Sequence, residues 1–154
     1  MGPLVKLELL QDAAEFWPRA GADVRDARDR VYVQALTFEG DAAGRDVAAS
    51  LAASRAGDRR VLVDRFTKHV VSDHLVWLPG NLLDRRLREE VRATDRMQRD
   101  LERAGVSWRF VSPLGPLLLR APFRNHKKLV LVDDRVAYVG GINFSDHNFA
   151  WRDL

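Results

Sequence analysis

Short apolar runs alternate with longer amphipathic stretches along the chain, the pattern of strands exchanging with helices. Val31 to Phe38 (VYVQALTF) is nearly continuous in apolar character and predicts a strand covered on both faces. Asp23 to Arg30, just before it, is short and polar and predicts a helix. Beyond Glu39, DAAGRDVAASLAASRAG sets Val47, Ala48, Leu51 and Ala52 on one helical face, with Gly57 as the stop. Arg60 to Phe66 (RVLVDRF) predicts a second strand. From Asp84 to Ala104 the pattern is clearest: Leu87, Val91, Thr94, Gln98, Leu101 and Ala104 recur at three- and four-residue steps, and Gly105 stands where the helix should end. Val106 to Val111 predicts a third strand. After Pro113, Gly115, Pro116 and Pro122 come two more, around His126 to Val132 and Val136 to Gly140, joined by a turn at Asp133-Asp134-Arg135.

This order predicts an α/β domain with a mostly parallel mixed β-sheet flanked by helices and closed by a hairpin. Residues 1–22 read as a lead-in segment and 23–154 as one lobe. The 154 residues suffice for one such lobe and not for two.

Composition narrows the chemistry. The absence of cysteine excludes disulfides, thiolate nucleophiles and cysteine-held metals. Lysine and arginine total 25 against 22 acids, a formal charge of +3 that does not by itself announce a nucleic-acid or membrane partner. The excess is mostly arginine, and the only lysines are Lys6, Lys68, Lys127 and Lys128. Seven arginines and six acids share the Asp84 to Ala104 helix, which predicts a solvent face laced with salt bridges. VVSDHLVWLPGNLL, from Val70 to Leu83, concentrates apolar residues around a Pro-Gly break. Burial against the sheet is its expected fate, with an exposed loop at a membrane interface as the rival. His69 and His74 flank Asp73 without the spacing of a recognised metal site.

The stretch NHKKLVLVDDRVAYVGGIN carries the chemistry. His126 and Lys128 are two residues apart on a predicted strand, so both side chains leave the same face while Lys127 leaves the other. Gly140-Gly141 removes side chains where the backbone is expected to approach something closely. Asn143 follows, and Ser145 and Asp146 stand ready to cap a helix whose first amides would favour an anion. A nucleophile or base, a fixed cation, an amide donor and a helix start suit a phosphate ester.

These residues resemble the phospholipase D superfamily signature: His, one residue, Lys, four residues, Asp, six residues, Gly-Gly or Gly-Ser, one residue, Asn. His126, Lys128, Asp133, Gly140, Gly141 and Asn143 meet it without a gap. Six fixed positions at about one in twenty compound to roughly 10⁻⁸ per starting point. The Gly-Gly form, the preceding Arg124-Asn125 and the trailing Trp151-Arg152-Asp153 are similar to bacterial cardiolipin synthases, and the chain resembles their N-terminal lobe. Weaker likenesses are the strand leading to Phe38, with Asp41 and Gly44 after it, and the strand ending in Asp64.

The resemblance implies phosphodiester cleavage or phosphatidyl transfer without metal or cofactor, through a phosphohistidine, with the histidine of a second motif protonating the leaving alcohol. Carried over by position, the catalytic set is His126, Lys128, Asp133 and Asp153. His126 is the nucleophile or its acid partner, Lys128 and Asn143 with Gly140 and Gly141 bind the phosphoryl group, and Asp153 holds the imidazole in the right tautomer. Asp133, at the hairpin turn, is expected to serve the motif structurally. The implied partners are a phospholipid and a second phospholipase D-like lobe, from the same gene or a second copy, with nucleic acid disfavoured. The implied location is cytoplasmic, with peripheral contact at the inner membrane. A homodimeric nuclease and a catalytically silent truncated domain are the alternative readings.

Overall fold

The computed structural model describes residues 6–71, 74–76, 78–112 and 126–149. Its centre is a five-stranded sheet built from β1 (Arg30–Ala35), β2 (Asp58–Asp64), β5 (Ser107–Val111), β6 (Lys128–Val132) and β7 (Val136–Gly140), in the order β5-β2-β1-β6-β7. The pairs β2–β1 and β5–β2 are parallel, whereas β1–β6 and β6–β7 are antiparallel, so every strand but β6 runs the same way. This is the mixed sheet expected from the sequence.

Period-two burial explains where the helices go. Val31, Val33 and Ala35 of β1, Val61 and Val63 of β2 and Val130 and Val132 of β6 are buried together with residues of α1 (Ala13–Asp26), α2 (Ala42–Ala53) and α4 (Arg85–Arg103). Tyr32 and Gln34, on the other side of β1, are only half-buried. The first strand is therefore packed by these helices on one face and not, as its apolar run suggested, on both. A cluster of aromatic rings continues the core: Phe38 meets Trp108 at 5.2 Å and Phe144 at 5.3 Å between centroids.

Several boundaries differ from expectation. The first helix runs Ala13–Asp26 in place of Asp23 to Arg30. Asp12 caps it through Glu15 N at 2.8 Å, and Trp17, Ala20 and Val24 enter the core. Pro18 inside it reads as a helix breaker. The helix α2 ends at Ala53 with an extended Ser54, ahead of Gly57. The second strand stops at Asp64, whose carboxylate caps a 3-10 turn over Arg65–Lys68 through Phe66 N. A small hairpin, β3 (Val70–Val71) with β4 (His74–Leu75), and a short helix, α3 (Pro79–Leu82), precede α4. Val70 and Val71 are buried as expected, whereas Leu78 and Leu83 are exposed; Trp77 lies outside the described residues.

Gly105 stops α4 as the sequence predicts. At φ +82° it donates to Glu102 O, and Val106 N donates to Leu101 O, the paired bonds that close a helix around a left-handed residue.

Candidate active site

The signature residues are arranged around one hairpin. Lys128 opens β6 opposite Gly140 of β7, one residue beyond the Gln34–Leu129 pairing with β1. The residue is 8% exposed. It folds back so that Nζ donates to His126 O at 3.0 Å and lies 3.4 Å from His126 Nδ1. Burial pushes Lys128 below the usual lysine range. His126 is exposed and precedes the strand instead of lying in it, because β7 ends at Gly140 and offers no further partner. An ammonium has no lone pair, so the ring nitrogen facing it must accept; a neutral His126 in this pose carries its proton on Nε2.

Asn143 follows β7 and meets the end of β1. Its Oδ1 accepts Leu36 N at 3.2 Å and Thr37 N at 3.3 Å. Only the oxygen of a carboxamide can accept two N–H groups, so the amide orientation is fixed and its NH2 is left as a donor. Around it, Phe144 N donates to Thr37 O at 3.3 Å and Glu39 N to Phe144 O at 2.9 Å, which join the segment after β7 to the segment after β1.

Asp133 lies at the opposite end of β6 from Lys128. Its φ is 51°, and its carboxylate accepts Asp29 N at 2.9 Å, Arg30 N at 3.1 Å and Arg28 N at 3.3 Å. Those amides, Asp29 and Arg30 foremost, hold its carboxyl below the usual aspartate range. The structure thus brings His126, Lys128 and Asn143 to the end of the sheet where β1 finishes, and sets Asp133 at the other end. Asp153, Arg124, Asn125 and the Trp-Arg-Asp tail lie outside the described residues.

A Cβ built on Gly140 or Gly141 meets nothing within 4 Å among the described residues, so no neighbour from the fold fills the space these glycines leave. One expectation is corrected: the helix start at Asp146 is not left open to an anion. The helix α5 (Asp146–Phe149) is one turn long, and Asp41 Oδ2 takes Asp146 N at 2.5 Å. The Asp146 carboxylate in turn takes Ala43 N at 2.6 Å and Ala42 N at 3.3 Å, while Asp41 Oδ1 takes Gly44 N at 2.9 Å. Each aspartate caps the other's helix. Burial raises the Asp41 carboxyl despite these bonds.

The glycines that must be glycine lie beside this clasp. A Cβ on Gly44 would fall 1.7 Å from Glu39 O, and one on Gly40 would fall 2.4 Å from Ala93 C and Thr94 N of α4. A cleft of about 240 Å³ opens there, lined by Glu39, Asp41, Glu90, Thr94, Asp146 and His147. Gly40 and the backbone of Leu36 and Thr37 are site-building elements that the sequence reading missed. The one available signal was the Asp-x-x-Gly start of α2, an N-cap pattern.

Residues 22–153 match the family model described as cardiolipin synthase, PLD-like domain. The chain belongs to this phospholipase D-like family. Cardiolipin synthase B of Salmonella typhi is 29% identical over 145 residues, covering 91% of this chain and 30% of that protein. The major cardiolipin synthase ClsA of Bacillus subtilis (strain 168) is 28% identical over 158 residues, covering 96% and 28%. The crystal structure of phosphatidylserine synthase from Haemophilus influenzae Rd KW20 superposes with a TM-score of 0.63 at 19% identity, over 94% of this chain and 30% of that one. The chain thus spans about 30% of the length of these relatives.

Proposed function

We propose that this chain is a phosphodiester-cleaving or phosphatidyl-transferring lobe of the cardiolipin synthase type, acting through a phosphohistidine. The observation that carries the reading is the buried Lys128 ammonium held 3.4 Å from the ring of exposed His126, with an Asn143 amide at the same end of the sheet whose donor end is free of the backbone. A cation and an amide donor fixed before the substrate arrives can stabilise phosphoryl oxygens as charge builds, with no reorganisation in the transition state. His126 Nε2 attacks phosphorus, the alcohol departs with a proton from an acid, and an acceptor alcohol or water then takes the phosphoryl group and regenerates the imidazole.

The tautomer of His126 bears on its role. With Lys128 at Nδ1 the ring carries its proton on Nε2, which is the proton-donor form. Nucleophilic attack needs that proton moved to Nδ1 and held by an acceptor, which is the role proposed for Asp153. Asp133 takes no part in proton transfer, since its oxygens are occupied by the amides of Arg28 to Arg30. The acid that meets the leaving alcohol is proposed to come from a second lobe or a second copy of this chain.

The chain is incubated with phosphatidylglycerol labelled at phosphorus and, separately, with single-stranded DNA, beside His126→Ala. Lipid turnover that depends on His126 and stays weak in the monomer is the expected result, with label retained on the protein in alkaline detergent. Equal conversion by His126→Ala would overturn the assignment of the histidine. Robust turnover by the monomer would remove the need for a second lobe, and His126-dependent DNA cleavage by a dimer would establish the nuclease instead.

A further inference from the structure

Most of the seven arginines of α4 stand outside the salt bridges formed among the described residues. Within the helix, and among the described residues, only Arg86–Glu90 and Arg103–Asp100 pair, while Asp95 turns to Lys68. The others are sorted by position. At 100° per residue, Arg85, Arg88, Arg92, Arg96, Arg99 and Arg103 fall within an arc of roughly 80°, in a row about 27 Å long. All six are exposed, and the row lies opposite the buried Leu87, Thr94, Met97 and Leu101. Five of the six have no ion pair among the described residues, and the exposed Glu89, Asp100 and Glu102 flank the row without entering its arc.

A second feature lies at one end of this line. Leu83 is 80% exposed immediately ahead of Asp84, the N-cap of α4, and Leu78 is 41% exposed ahead of α3. The helix α4 leads from the end of β2 back to the start of β5, so its first turn lies at the end of the sheet that carries Lys128. Solvent-exposed leucines beside a straight basic row are what a lipid surface accepts together: apolar side chains enter the interface while guanidinium groups meet phosphates. A nucleic acid would use the arginines and leave the leucines without a purpose.

We propose that the outer face of α4, with Leu78 and Leu83 at its leading end, is the surface by which this chain rests on an anionic lipid bilayer. The leading end of that face lies at the end of the sheet that carries His126 and Lys128. The inference stands apart from the catalytic reading, because vesicle binding needs no turnover.

The test is co-sedimentation with vesicles of phosphatidylcholine alone and of phosphatidylcholine with one quarter phosphatidylglycerol, at low and at 0.5 M salt. At about 1 kcal/mol per arginine near such a surface, each loss weakens binding about fivefold, so Arg88→Gln/Arg92→Gln/Arg96→Gln should bind roughly 100-fold more weakly. Arg28→Gln/Arg55→Gln/Arg109→Gln removes the same charge from other exposed sites and should stay within about threefold of the parent. Leu83→Ser should weaken what binding remains at 0.5 M salt. Circular dichroism confirms that each variant is folded. Equal losses in the two triple variants, no preference for the anionic vesicles, or α4-dependent binding to a DNA duplex without binding to vesicles would each overturn the proposal.

Discussion

Gly40→Ala is the sharpest test of how α4 seats on the end of the sheet. The added Cβ would lie 2.4 Å from Ala93 C and Thr94 N and 2.6 Å from Ala93 O, all of them backbone atoms. No rotamer change relieves such a contact, so either α4 retreats by about 1 Å or the loop after Phe38 does. The helix is seated through Leu87, Thr94, Met97 and Leu101, and a gap of 0.5–1 Å costs about a quarter to a half of each dispersion contact across it. The buried bond from Gly40 N to Thr94 Oγ1, now 2.8 Å, stretches as well, for about 1 kcal/mol. After relaxation the loss should be about 3 kcal/mol, or roughly 6–12 °C in Tm for a domain of this size.

Gly140→Ala is the matched control, since its Cβ meets nothing within 4 Å among the described residues. It should change stability by no more than about 0.5 kcal/mol. Both are read from urea titrations followed by circular dichroism, with the slope checked for constancy. A Gly40→Ala protein within 0.5 kcal/mol of the parent, or a Gly140→Ala protein equally damaged, would refute the packing argument.

Three further outcomes follow from the site. Asn143→Asp keeps an acceptor for Leu36 N and Thr37 N and removes the NH2 donor, so it should retain near-parental stability but lose about 10²-fold in lipid turnover; Asn143→Ala should lose about 1–2 kcal/mol in urea as well. Lys128→Met removes a desolvated ammonium, so it should melt at or above the parent temperature while His126-dependent turnover collapses; a marked fall in Tm would make Lys128 a structural residue. Asp133 has its pKa depressed in the fold, so the native state binds fewer protons than the unfolded chain and stability gained above about pH 4 is lost as pH falls through the depressed value. Urea midpoints of Asp133→Asn should therefore lie below the parent at neutral pH and converge on it in acid; a gap that persists unchanged at low pH would contradict this.

The strands and α4 were legible because their burial follows simple periods: alternate residues of β1, and three- and four-residue steps from Leu87 to Leu101. The first helix was not, since Pro18 breaks its pattern and its anchor is tertiary: Trp17 packs under Phe144 and Phe149, far along the chain. Continuous apolarity in VYVQALTF suggested two covered faces, but Tyr32 spends its hydroxyl on Asp58 at 2.6 Å and Gln34 is polar, which lets that side remain half-open. The arginines of α4 are exposed as the sequence predicts, but among the described residues only Arg86 and Arg103 pair with acids of the helix, because composition does not reveal angle. The clasp between Asp41 and Asp146 was out of reach for a different reason: nothing local couples two helix starts about a hundred residues apart.

The signature itself was legible at once, and the hairpin explains why its spacings are rigid. Lys128 and Asp133 bracket β6, so the four residues between them are the length of a strand. At one end the Asp133 carboxylate takes the amides that lead into β1, and Asp133 N donates to Arg30 O at 2.8 Å, which pins the register of β6 against β1. A slip of one residue would turn Lys128 to the opposite face, away from Val130 and Val132. The return strand is bound by the same count: with Val132 opposite Val136 and Lys128 opposite Gly140, the hairpin ends beside the lysine. Asn143 then falls where its oxygen meets Leu36 N and Thr37 N. An aspartate about 16 Å along the strand from the lysine therefore belongs to the motif without touching the candidate chemistry, because it fixes which face the chemistry occupies.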